Sequence, residues 1–204
     1  MSTGQFTHRQ RQAEATRARV TRAARRVFAA RGYSAATIAD VARTAGVAIP
    51  TVYKLYGNKR TLMSAIADSW EREFAPDRDA EEVPGDPAAA LVFWAGFVRR
   101  QWETGLDIAL IYAGAVASEP EIRKELQPRL DARERMIRTV SERLEPALKD
   151  GLTATDAHAI ISALTLPEVY RDLVRDHGWT PERFQGWLER TLAEQLIAGG
   201  GRRP

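Results

Sequence analysis

Apolar positions recur along nearly the whole chain with the period of an α-helix. Between Thr16 and Arg31, Val20, Ala24, Val27 and Phe28 fall on one stripe, and Gly32 is placed to end that helix. Thr37 has the place of an N-cap for a short second helix, in which Ile38, Val41, Ala42 and Ala45 repeat at i, i+3, i+4 and i+7. Gly46 closes it, and Pro50 suits the first turn of a third helix whose inner positions are Val52 and Tyr56. Gly57-Asn58 breaks that helix, and a fourth is expected over Lys59–Phe74. The Pro-, Asp- and Glu-rich run Ala75–Pro87 reads as a loop. Five further helices are expected, at roughly 88–103, 106–117, 120–149, 153–177 and 181–198. Pro120 and Pro181 suit helix starts and Gly178 a cap, while Pro128 and Pro167 stand inside segments that they would kink or divide. Strand-like alternation is missing, so the pattern predicts an all-α fold of about nine helices.

Charge sharpens this picture because it is unevenly distributed. Residues 1–60 hold twelve Lys/Arg against only Glu14 and Asp40, a net of +10, whereas the remainder holds 18 Lys/Arg against 25 Asp/Glu, a net of −7. A cationic module attached to an anionic one suggests nucleic-acid binding joined to a second task, although a solvated basic helix would carry the same charge. The expected organisation is a flexible basic arm at 1–15, a DNA-binding domain at 16–60, and an acidic helical domain with a second task at 61–204. Cysteine is absent, which excludes disulfides and thiolate zinc sites. With no apolar run near the roughly 20 residues of a membrane span and no secretory leader, a cytoplasmic protein without a membrane partner is expected.

Two short helices joined by a glycine turn have the dimensions of a helix-turn-helix. Ala42, Ala45 and Gly46 supply small residues where the helices meet, and Thr51, Tyr53 and Lys54 supply polar groups on the outer face of the second helix. The run GYSAATIADVARTAGVAIPTVYKLYGNKRTLMSAI, with VTRAARRVFAARG before it, resembles the DNA-binding domain of the TetR family of bacterial repressors over about residues 16–66. The resemblance implies phosphate contacts from Thr37, Tyr53 and Lys59, and major-groove contacts from Pro50, Thr51 and Lys54. Thr51 and Pro50 would meet a thymine methyl, and Lys54 would donate to guanine O6/N7. Thr37 reads equally well as a plain helix cap, and Tyr53 has a core reading as well. Leu55 stands where the family usually has tyrosine or histidine, and Ala39 where some relatives extend an arginine. Readout would then lean on apolar contact, DNA shape and arm residues such as Arg9, Arg11, Arg17 and Arg19.

The resemblance further implies a homodimer on palindromic double-stranded operator DNA, with an unidentified small-molecule effector. Leu164, Phe184, Trp187, Leu188 and Leu192 are the candidate dimer residues, on stripes that could instead serve the monomer's core. Trp94, Phe97 and Tyr112 are the candidate effector-lining residues, with ordinary core as the other reading. An effector would shift the balance of DNA-free and DNA-bound forms by tilting the helix at 59–74. His8, His158 and His177 are scattered and no serine stands in a nucleophile elbow, so neither catalysis, a metal nor a cofactor is expected. The expected function is a ligand-responsive transcriptional regulator, a repressor. The alternative is an architectural or interaction protein that binds DNA without an effector.

Overall fold

The computed structural model describes residues 8–74 and 82–199. Helices account for almost all of it, and the described residues form two compact units. One lies within Met1–Glu73 and Asp107–Glu125, the other within Phe74–Leu106 and Leu126–Pro204. The unit that holds the helix-turn-helix therefore extends past the boundary drawn at residue 60.

The first unit is built from α1 (His8–Ala35), α2 (Ile38–Ala45), α3 (Ile49–Tyr56), most of α4 (Lys59–Phe74) and the C-terminal part of α5 (Pro87–Ser118). α1 begins at His8, well inside the segment expected as an arm. The run from Gln10 to Ala15 contains only residues that tolerate a helix, and no Gly or Pro stops it. Residues 1–7 of that expected arm lie outside the described residues. Gly32 interrupts α1 with φ 75°, ψ 157°, a conformation that costs a side chain dearly, and one further turn leads to α2. Val20, Ala24 and Phe28 are fully buried with Leu62, Met63 and Ile66 of α4 in this unit's core. Two ion pairs and a hydroxyl contact tie distant segments together here. Arg25 donates to both oxygens of Asp107 at 2.7 and 2.6 Å, Arg60 lies 3.3 Å from Glu125, and Ser64 donates to Glu125 at 3.0 Å.

The second unit contains the start of α5, most of α6 (Ile122–Leu144), α7 (Ala154–Leu164), the short α8 (Pro167–Tyr170), a π-helical turn at Arg171–Asp176 and α9 (Pro181–Leu196). The helices expected at 88–103 and 106–117 are one continuous helix, because Gly105 keeps helical backbone and is buried there. Pro128 sits on the exposed side of α6 without ending it, whereas Pro167 does divide its segment. α7 starts on a reciprocal cap in which Thr153 and Asp156 satisfy each other's backbone N–H, and Thr180 caps α9. Trp102 donates its indole N–H to the Thr165 carbonyl at 3.0 Å, and Arg133 caps the same helix end at the Thr165 hydroxyl, 3.0 Å away. Burial holds Arg133 below the usual guanidinium pKa, partly offset by Glu134.

Candidate nucleic-acid interface

α2 is fixed by its first residue. Thr37 Oγ1 accepts from the Asp40 N–H at 3.1 Å and donates to Asp40 Oδ2 at 2.8 Å, while Asp40 accepts from the Thr37 N–H at 3.2 Å. Arg31 at 2.8 Å and Arg43 complete the ring of donors around that carboxylate. The hydrogen bonds from Thr37, with the two guanidinium groups, hold the Asp40 pKa below the usual carboxylate range. A depressed folded pKa stabilises the fold above the unfolded value near 4 and loses that contribution as pH falls through the folded value. Asp40→Asn is thus expected to flatten the loss of thermal stability below about pH 4, read from melting curves at stepped pH. Thr37 spends its one hydroxyl proton on Asp40, so its side chain acts as a cap. A phosphate at this end would meet the first-turn N–H groups of α2 instead.

Gly46 adopts the left-handed conformation (φ 64°) and returns its N–H to the Ala42 and Arg43 carbonyls, which turns the chain sharply into α3. α3 begins at Ile49 with Pro50 in its first turn and has no side chain capping its N-terminus. Val52 and Tyr56 are buried beneath it. The Tyr56 hydroxyl lies 2.7 Å from Thr21 Oγ1 and donates to the Arg17 carbonyl at 3.0 Å, and Arg17 donates to the Leu55 carbonyl at 3.4 Å. These bonds seat the second helix of the motif on α1. Neither Arg17 nor Thr21 was expected in that role, since their partners are over thirty residues away.

With its inner face so anchored, α3 presents Ile49, Pro50, Tyr53 and Lys54 to solvent and leaves Thr51 half-buried beside them. Tyr53 is 51% exposed, which disposes of its core reading. Neither Tyr53 nor Lys54 has a partner among the described residues. Ile49 is 44% exposed on the same helix, on an outer face where the sequence pattern did not single it out.

Lys59 behaves otherwise. Its ammonium sits 4.2 Å from the Tyr33 ring centre and 5.9 Å from that of Phe28, and donates to the Ser34 carbonyl at 3.3 Å. Burial lowers its pKa, with Glu119 pulling the other way. The side chain expected on a phosphate here joins the α4 start to the end of α1, with its ammonium partly exposed. Asn58 caps α4 by accepting from the Thr61 N–H at 2.9 Å. Tyr33 beside it has its phenol pushed up to about 12 by burial and by Glu119.

The profile of the bacterial regulatory proteins of the tetR family matches residues 20–66, the segment that carries this motif. The helix-turn-helix segment is thus similar to the DNA-binding domain of the TetR family. The chain is 41% identical over 58 residues to the HTH-type transcriptional regulator TtgR of Pseudomonas putida. The alignment covers 28% of each protein, so the chain matches little more than a quarter of that relative's length. A likeness of fold to solved structures extends over nearly the whole chain. NalD, the secondary repressor of the MexAB-OprM multidrug efflux pump in Pseudomonas aeruginosa, superposes with a TM-score of 0.71 at 23% identity, covering 93% of this chain and 99% of that one. A transcriptional regulator from Saccharomonospora viridis, solved in complex with choline, does so with a TM-score of 0.69 at 17% identity, covering 91% and 99%.

Trp94 and Phe97 lie stacked in the second unit, with ring centres 5.5 Å apart and Phe74 edge-on to Phe97 at 5.4 Å. Tyr112, further along α5, belongs to the first unit and is buried there. The three aromatics expected around one effector thus divide between units. Phe184, Leu188 and Leu192, expected at a dimer surface, are fully buried inside their own chain, and only Leu164 and Trp187 of that set keep part of their surface.

Proposed function

We propose that the chain is a ligand-responsive transcriptional repressor, not an enzyme, that binds a palindromic operator as a homodimer. The observation that carries this reading is the exposed face of α3, where Tyr53 and Lys54 stand unpartnered beside Pro50 and Thr51 on a helix anchored from below by Tyr56. Such a face fits the major groove, and the helix starts at Ile49 and Ile38 offer N–H groups to phosphates. The TetR-type domain supports the same reading. Selection of purified protein against a random duplex library tests it. A palindromic consensus is expected, whereas weak binding without consensus at physiological salt would overturn it.

For the dimer, the outward side of α7 replaces the buried α9 stripe. Ala159, Ala163 and Leu166 are exposed, Ile160 and Leu164 are half-buried, and no charge falls between His158 and Glu168. An uncharged apolar face of this kind suits an isologous contact.

For the effector, the aromatic cluster of the second unit is the seat that its chemistry favours. The Trp94 side chain is buried, yet its indole N–H has no hydrogen-bond partner among the described residues. A ligand acceptor there would satisfy a donor whose burial otherwise costs about 1–3 kcal/mol. Trp94→Phe is accordingly expected to be no less stable than the parent in urea denaturation and to lose effector response in operator-binding assays. The choline complex of the S. viridis regulator is consistent with a ligand seat in such a helical domain.

A further inference from the structure

The outward side of α1 carries a cationic surface that the recognition helix does not use. Arg19, Arg22 and Arg26 are all exposed and fall within about 60° of arc at 100° per residue. Val20, Ala24 and Val27 occupy the opposite, buried side. Arg17 and Thr21, which engage Leu55 and Tyr56 of α3, lie about 150° around the helix from this stripe. The three arginines therefore point away from α3.

Other arginines of α1 are engaged: Arg17 with Leu55, Arg25 with Asp107, and Arg31 with Asp40. Arg19, Arg22 and Arg26 have no partner among the described residues. They also repel one another, since Arg19–Arg22 is an i,i+3 pair and Arg22–Arg26 an i,i+4 pair, the spacings at which like charges destabilise a helix. No acidic residue stands three or four positions from any of them. The row spans about 10 Å of helix, the reach of roughly three phosphates along one strand of duplex DNA.

We propose that this stripe binds the phosphate backbone of a second DNA duplex, so that protein seated on an operator through α3 bridges to another stretch of DNA. The inference rests on the reading of α3 as the operator-binding helix. Full-length protein, limiting and saturated with a fluorescent operator duplex, would be passed over beads carrying a duplex without the operator. Wild-type protein is expected to hold the operator on the beads at low salt and release it steeply as salt rises. Arg22→Gln/Arg26→Gln should lose at least about tenfold in retention, with operator affinity within roughly threefold of wild type, and the matching double Lys variant should recover retention. Retention unchanged in the Gln variant, none by the wild type, or retention only on beads bearing poly-glutamate would overturn the proposal. Retention of the protein itself, without operator, separates the two readings. If no operator can be selected, the assignment of α3 falls, while a stripe-dependent hold on bare duplex still stands.

Discussion

Phe184→Ala is expected to cost the fold about 3–5 kcal/mol, the range for deleting a buried aromatic ring. Phe184 is fully buried, 4.9 Å edge-on from Tyr170 and 5.8 Å from Trp187 between ring centres, and Leu188, Leu192 and Leu196 continue the same buried stripe. Truncation would leave a cavity that neighbouring helices fill only in part. Urea denaturation should register the loss, with the denaturant slope little changed. The contrasting variant is Leu166→Glu. Leu166 is 43% exposed in the uncharged turn between α7 and α8, so a carboxylate there meets water in the free protomer and meets apolar surface in the proposed dimer. Sedimentation equilibrium should find Leu166→Glu shifted to monomer with its fold intact. A Phe184→Ala protein that kept its stability and fell apart into monomers would reverse the assignment and make α9 the interface.

What the sequence disclosed follows from the range of the interactions involved. Helix periodicity, the glycine at position 46 and the Thr37/Asp40 spacing are local, and the helix-turn-helix was legible from them to within a residue or so. Position 153 carries the same Thr-x-x-Asp signature before α7, and it too could have been read as a reciprocal cap. The break expected near residue 105 failed because glycine's weak local preference yields to burial along a 32-residue helix. Periodicity reports that a face is buried but not against what, which is why Phe184, Leu188 and Leu192 were assigned to a partner although their own chain covers them. The seat of Lys59 was illegible for a related reason. Its capture depends on Phe28 and Tyr33 of a different helix, and no spacing rule near residue 59 contains them. The basic charge of α1 was plain in the sequence, yet only the engagement of Arg17, Arg25 and Arg31 sets Arg19, Arg22 and Arg26 apart from their neighbours.

Lys54→Ala and Thr51→Ala are each expected to weaken operator binding by about 1–3 kcal/mol, roughly 5- to 150-fold, in fluorescence anisotropy at fixed salt. Both effects follow from position alone on a helix whose fold does not need them. Lys54 is exposed and unpartnered, and Thr51 is half-buried beside Pro50, so neither truncation removes a core contact or an internal hydrogen bond. Thermal stability should stay within about 0.5 kcal/mol of the parent. The two losses should differ in kind. Thr51→Ala deletes a methyl and a hydroxyl that address a base edge, and is expected to relax preference at one position of each half-site. Lys54 has two possible targets that salt separates. If it donates to guanine, its removal relaxes one further position with the salt dependence nearly unchanged. If it meets a phosphate, affinity falls uniformly across sequences and the slope of log K against log salt drops by about 0.9 per half-site. Because the residues are three apart on one helix face, the double variant is expected to lose less than the sum of the singles. A full loss from Lys59→Ala together with full binding by Lys54→Ala would move the reading head off α3, and with it the direct recognition that Tyr56 and Thr21 are arranged to hold in place.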